Sequence, residues 1–86
     1  MSEALLTRIK RVVRDVFLGG DESFPLEDQM SLLESGVLDS MGLVQLATAL
    51  EAEFPGLKLP DQEITHEQMG TVAAIAALLR RRGVTL

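Results

Sequence analysis

Three segments of the chain carry aliphatic side chains at the spacing of an amphipathic helix, with glycine or proline residues between them. The first runs from Ser2 to about Leu18 and ends at the pair Gly19–Gly20, which suits a left-handed C-terminal cap. The second runs from about Met41 to Glu53, and the third from Val72 to about Arg82. No segment shows a convincing strand pattern. The spacing therefore predicts an all-α fold in which each helix buries one apolar face.

The connections between these helices carry further helical signals. The first, residues 21–36, is long enough to predict a function or a short helical turn, and we expect one turn near Ser31 to Glu34. Between the second and third long helices, two sites compete for a short helix. One spans Asp61 to Ile64; the other spans His66 to Met69, after a capping-box pair formed by Thr65 and Gln68. The sequence does not decide between them.

Length and charge limit what the chain can bind. Its 86 residues predict a single domain, residues 1–86, and its net charge of −5 argues against nucleic acid as a partner. The charge is also segregated: from Asp15 to Glu67 there are twelve acidic residues and one base, Lys58, a balance of −11. We expect an acidic surface that steers partners with a basic patch, although a generally acidic soluble surface explains the same pattern.

Metal and membrane sites are not expected. The chain has no cysteine, His66 stands alone in a polar segment, and Leu26 occupies the position where a calcium loop counted from Asp21 needs glycine. The start lacks a signal-peptide pattern, and the longest uncharged run, Gln68 to Leu79, is too short to span a bilayer. We therefore expect a soluble, cytoplasmic monomer with no membrane insertion.

Ser40 lies at the start of the second helix and is the most distinctive candidate for chemistry. It follows Asp39, so we expect it to be the helix N-cap. A hydroxyl at that corner either caps its own helix, which is the common case, or is an exposed nucleophile. We expect no enzyme activity, because no His or Lys lies near Ser40 in sequence to serve as its base.

The wider arrangement around Ser40 resembles the acyl carrier protein family. Gly36 lies four residues before the serine, an Asp-Ser pair follows two aliphatic residues, and a long aliphatic helix comes next. The resemblance covers nearly the whole chain and implies a four-helix acyl-carrier-like bundle with a long first loop and a short third helix. It also implies that Ser40 carries 4′-phosphopantetheine, transferred from coenzyme A by a phosphopantetheinyl transferase. The arm's thiol would hold cargo as a thioester, which a chain without cysteine otherwise could not do.

The resemblance also implies a set of partner contacts. Asp39 matches the family's acidic residue before the serine, where it would meet a basic patch on the transferase or stabilise the helix dipole. On the second helix we expect Leu43, Leu46, Ala47, Leu50 and Phe54 to be buried. The stripe beside Ser40 is expected to be a docking surface, although Met41 and Val44 could instead pack on a neighbouring helix. The predicted partner-binding residues are Asp39, Met41, Val44, Gln45, Thr48 and Met69.

Gly42 and Gln45 depart from the fatty-acid carriers, which usually have acids on these early turns. Gly42 costs about 1 kcal/mol relative to alanine in a helix, and we expect close approach of the arm or a partner to compensate. The run Asp39-Ser40-Met41-Gly42 is closer to D-alanyl, aminoacyl and peptidyl carriers, although the tryptophan or Glu-Phe pair expected of a D-alanyl carrier after Pro60 is missing. The expected function is therefore a discrete carrier of an acyl or aminoacyl group, whose cargo the sequence leaves open.

The expected partners of such a carrier are an adenylate-forming ligase and a downstream transferase or synthase. The rival interpretation is a small helical interaction domain that never receives the arm. In that case Ser40 is a plain cap, and the acidic face binds a basic partner.

Overall fold

A computed structural model describes residues 3–85 of the chain. Four α-helices follow one another: α1 (Glu3–Phe17), α2 (Gly42–Glu53), α3 (His66–Met69) and α4 (Val72–Arg81). A 3₁₀ turn, Asp61–Glu63, precedes α3. Within the described residues there is no β-strand, and no helix is long and apolar enough to cross a membrane. The prediction of an all-α, acyl-carrier-like four-helix bundle is confirmed.

Helix α1 ends within one residue of its predicted end at Leu18, and its predicted start at Ser2 lies outside the described residues. Its buried side chains, Leu5, Ile9, Val12 and Val13, lie on one face. The helix ends in a left-handed turn, in which Gly19 and Gly20 have φ angles of 60° and 80°. There the Gly20 N–H donates to the Arg14 carbonyl over 2.9 Å. Since glycine adopts positive φ without steric cost, this pair stops α1 and turns the chain into the long loop.

The long loop before α2 is fixed to the helices by main-chain hydrogen bonds. The Leu32 N–H donates to the Gly70 carbonyl over 2.8 Å, and the Ala73 N–H donates to the Asp28 carbonyl over 2.9 Å. Within the loop, the Ser35 N–H donates to the Ser31 carbonyl over 3.0 Å, so the predicted helical turn is present. These bonds hold the loop against the start of α4, and its far end leads directly into Ser40.

Both candidate sites for a short helix are in fact helical. The first forms the 3₁₀ turn and the second forms α3, whose N-cap Thr65 accepts a hydrogen bond from the Gln68 N–H over 3.1 Å. Only half of the predicted capping box forms, because the Gln68 side chain instead accepts from Arg81 over 2.6 Å. Thr71 is the N-cap of α4, and its hydroxyl oxygen accepts from the Ala74 N–H over 3.0 Å.

The helices share one aliphatic core. Every residue predicted for the buried face of α2 is buried, and Phe54 is the one buried aromatic side chain among the described residues. None of the described polar or charged residues is buried. The core is therefore held by close packing of aliphatic groups, which is how small helical bundles gain most of their stability. Fully buried side chains include Leu5, Ile9, Leu32, Leu46, Leu50, Met69, Ile75, Leu78 and Leu79.

Candidate functional site at the start of helix α2

The Ser40 side chain is exposed on the turn that leads into α2, and its hydroxyl makes no hydrogen bond within residues 3–85. The prediction that Ser40 caps the helix is wrong, because Asp39 does so. Its Oδ1 accepts from the Gly42 N–H over 2.8 Å, and its main-chain carbonyl accepts from the same N–H over 2.9 Å. The preceding carboxylate thus satisfies the helix start. The serine hydroxyl is therefore not needed for the cap.

Gly42 joins this corner to the end of α1. It is buried, and a Cβ atom there would lie 3.0 Å from Leu38 Cβ and 3.2 Å from Phe17 Cε1. Such contacts are tighter than most real Cβ contacts, so the missing side chain allows α1 and the loop to approach α2 closely. Neighbours within the chain already require a glycine here, and the expected close approach of an arm or a partner stays a prediction. The sequence did not identify Phe17 as a neighbour of this corner, because the only indication was that Phe17 is the last apolar residue of α1.

Four of the predicted partner-binding residues form an exposed stripe on α2. Met41 is 81% exposed and Val44 is 58% exposed, and Gln45 and Thr48 are exposed as well. The alternative that Met41 and Val44 pack on a neighbouring helix is therefore wrong. Exposed apolar side chains of this size are typical of a docking surface, and here they lie beside the exposed Ser40.

Met69 does not belong to that surface. Its side chain is 0% exposed and lies in the core at the end of α3. The prediction that it contacts a partner is corrected, because no part of it reaches the surface. A helix of four residues is too short for sequence periodicity to show which face is buried.

The acidic charge is partly neutralised within the molecule. Glu53 forms ion pairs with Arg8 and Arg11, each over 2.7 Å, and Asp28 pairs with Lys10 over 2.8 Å. The Arg8 hydrogen bond to Glu53 is the main cause that holds the pKa of this carboxyl below its usual value.

A further ion pair joins Glu63 to Arg82, and there the Arg82 hydrogen bond lowers the pKa of Glu63. Asp39, in contrast, forms no ion pair among the described residues. Its charge is available to a partner at the Ser40 corner.

Two surface grooves meet at this corner. The larger, about 640 Å³, lies between the end of α1, the loop and the start of α2, and we call it the α1–loop groove. The smaller, about 560 Å³, lies along α2 and includes Met41 and Val44. The α1–loop groove is lined by Phe17, Leu33, Gly36, Val37, Leu38, Asp39, Ser40, Gly42 and Gln45.

No group of three or more His, Cys, Asp or Glu side chains in the described part of the chain is placed to hold a metal ion. His66 is exposed, as its polar surroundings predict. The arrangement at Ser40 therefore offers an accessible hydroxyl, an acidic neighbour and an apolar stripe.

Comparison with known proteins agrees with this geometry. The family described as the phosphopantetheine attachment site matches residues 7–79. The D-alanyl carrier protein of Lacticaseibacillus casei (strain BL23) is 37% identical over 71 residues, covering 80% of this chain and 86% of that protein. The D-alanyl carrier protein of Lactococcus lactis subsp. cremoris (strain MG1363) is 34% identical over 65 residues, or 76% of this chain and 81% of that one. That of Abiotrophia defectiva is 27% identical over the full length of both chains.

Proposed function

The chain belongs to the phosphopantetheine-bearing carrier proteins, and from this premise we propose that Ser40 is the attachment residue and that the cargo is a small aminoacyl group, with D-alanine the first candidate. As a member of this family it holds cargo on a 4′-phosphopantetheine arm. When bound, the arm supplies a thiol that carries the cargo as a thioester. The interpretation as an unmodified interaction domain is not favoured.

One observation carries the assignment of Ser40: its hydroxyl is exposed and has no hydrogen-bond partner within residues 3–85, because Asp39 caps the helix in its place. In the transfer from coenzyme A, the Ser40 oxygen forms the new bond to the phosphorus that bears pantetheine. The anhydride bond of the pyrophosphate breaks, and the nucleotide leaves with the electron pair. The base and the magnesium ion belong to the transferase, which meets the unpaired carboxylate of Asp39 and the exposed Met41.

The proposal for the cargo draws on the relatives and on the surface of α2. The relatives described above are D-alanyl carriers, and the alignment covers 76–100% of this chain. Gly42 and Gln45 stand where fatty-acid carriers usually have acids. Because Gly42 is buried, the start of α2 offers a partner the Gln45 amide beside the apolar Met41 and Val44. An adenylate-forming ligase would load the cargo, and a downstream transferase would remove it.

The attachment is tested by incubating the protein with coenzyme A, magnesium and a broad-specificity phosphopantetheinyl transferase, followed by intact mass measurement. The wild type is expected to gain one phosphopantetheine group, whereas Ser40→Ala gains none. Ser35→Ala is a matched control, since Ser35 is also exposed and lies in the same loop. A wild type that stays unmodified, or a Ser40→Ala variant that is modified, would overturn the assignment.

The cargo is tested on the modified protein with ATP and a ligase specific for D-alanine. We expect one alanyl group to be added and then released by hydroxylamine, as a thioester requires. If the modified protein stays uncharged while the L. lactis carrier is charged in parallel, the cargo proposal is wrong. The attachment at Ser40 would still stand.

A further inference from the structure

We infer that the α1–loop groove is the resting place of the phosphopantetheine arm when no partner is bound. This inference depends on the proposed attachment at Ser40. The serine itself lines the groove, so an arm attached there begins at the groove. The groove has a volume of about 640 Å³ and is open to solvent along its length.

The side chains of the groove match the chemistry of the arm. Phosphopantetheine carries two geminal methyl groups near its phosphate, followed by two amides and a thiol. Phe17 and Leu33 are half-buried apolar side chains in the groove wall, where the methyl groups can pack. Gln45 is exposed at the same groove, so its amide can exchange hydrogen bonds with an amide of the arm.

The wall of the groove is open at Gly36. This residue has a φ angle of 84°, and no atom lies within 4 Å of the position that a Cβ would take. A side chain there would project into open space beside the groove. Gly36 suits this position because glycine readily adopts the left-handed conformation. Since it has no side chain, the edge of the groove is also open at this residue.

The α1–loop groove is better suited to the arm than the groove along α2. Its walls come from α1, the loop and α2, and Val37 and Leu38 are only 7% and 5% exposed, so the packed core holds them in place. The other groove is lined by the first turn of α2 together with Asp39 and Met41, and Met41 is 81% exposed. A flexible ligand loses less free energy to ordering when its site is already formed.

This placement separates two roles at the Ser40 corner. The arm occupies the side of α1 and the loop, and Met41 and Val44 stay uncovered for a partner.

The test is an isotope-filtered NOE experiment on the holo-protein, with the protein labelled and the arm unlabelled. Intact mass first establishes that the arm is present, so the failure of this inference is distinguishable from the failure of the attachment. We expect NOEs from the geminal methyls of the arm to the Phe17 ring and to the methyl groups of Leu33. NOEs to Met41 and Val44 alone, or no NOE between the arm and the protein, would overturn the inference.

A pair of variants adds a second measurement. Leu33→Ala shortens one wall of the groove and is expected to weaken the NOEs from the arm to Phe17. Val44→Ala removes a similar apolar group from α2 and is expected to leave them unchanged. The reverse pattern would place the arm on α2 and contradict the inference.

Discussion

Asp39 caps the start of α2, and we propose that its charge also attracts the transferase; substitutions can measure the two roles separately. Asp39→Ala removes the carboxylate that accepts from the Gly42 N–H over 2.8 Å. Loss of an N-cap acceptor costs about 0.5–2 kcal/mol. Because the Asp39 carbonyl also accepts from this N–H over 2.9 Å, part of the bonding survives, and we expect the lower half of that range, about 0.5–1 kcal/mol.

Asp39→Asn keeps an oxygen acceptor and removes only the charge. The free energy of unfolding then falls only because a negative charge is lost at the helix N-terminus, which is worth about 0.3 kcal/mol for an exposed side chain. A loss of 1 kcal/mol lowers the midpoint of thermal unfolding by about 4–8 °C in a domain of this size. We therefore expect Asp39→Ala to lower the midpoint by about 2–8 °C and Asp39→Asn by less than about 3 °C.

The assay is thermal and urea unfolding of the unmodified protein, with Ser40→Ala as the control. Since the Ser40 hydroxyl makes no hydrogen bond within residues 3–85, that control is expected to match the wild type in stability. If Ser40→Ala is destabilised and Asp39→Ala is not, the assignment of the cap is refuted.

The second role of Asp39 is measured by the rate of modification. Both Asp39→Ala and Asp39→Asn lose the charge offered to the transferase, so we expect both to be modified more slowly by a similar factor at low salt. Equal rates for the wild type and Asp39→Asn would show that the carboxylate serves the helix alone.

Three further predictions concern the stability of the bundle. Gly70→Ala places a Cβ in steric clash with the main-chain carbonyl oxygen of His66, so urea unfolding should show a loss of about 1–3 kcal/mol in the free energy of unfolding; unchanged stability would contradict this close contact. Leu46→Ala empties a site that is 0% exposed and should cost about 2–5 kcal/mol, whereas Val44→Ala on the exposed face should change stability by less than about 0.5 kcal/mol. Arg8 lowers the pKa of Glu53, so the ion pair stabilises the fold fully above the usual pKa of glutamate, and this stabilisation is lost as the pH falls through the lowered pKa. Glu53→Gln should therefore make the urea midpoint depend less on pH in the acid range. An unchanged pH dependence would refute the role of the pair.

The long helices and their caps could be predicted from local signals. Thr65 and Thr71 each precede a helical segment and accept the expected N–H, and Gly19–Gly20 ends α1 by a local conformation. Such signals lie within a few residues of the feature that they determine. The bounds of α2 and α4 therefore differ from the predicted ones by only one residue.

The details of the site depended on contacts that sequence spacing does not reveal. Asp39 and Ser40 are both good capping residues in adjacent positions, and only the conformation of the turn decides which one reaches the N–H. The packing of Gly42 against Phe17 joins residues far apart in the chain. Likewise, the pairing of Glu53 with Arg8 spans 45 positions, so the acidic surface is weaker than the local count of charges predicts.

Attachment at Ser40 is tested most directly by tandem mass spectrometry of peptides from the protein after reaction with coenzyme A and a transferase, which locates the arm. Ser23, Ser31, Ser35 and Ser40 all lie in or beside the loop before α2, so the fragments must distinguish between four hydroxyl groups. We expect the phosphopantetheine group on Ser40 and on no other residue. A group found on another serine would contradict the attachment at Ser40.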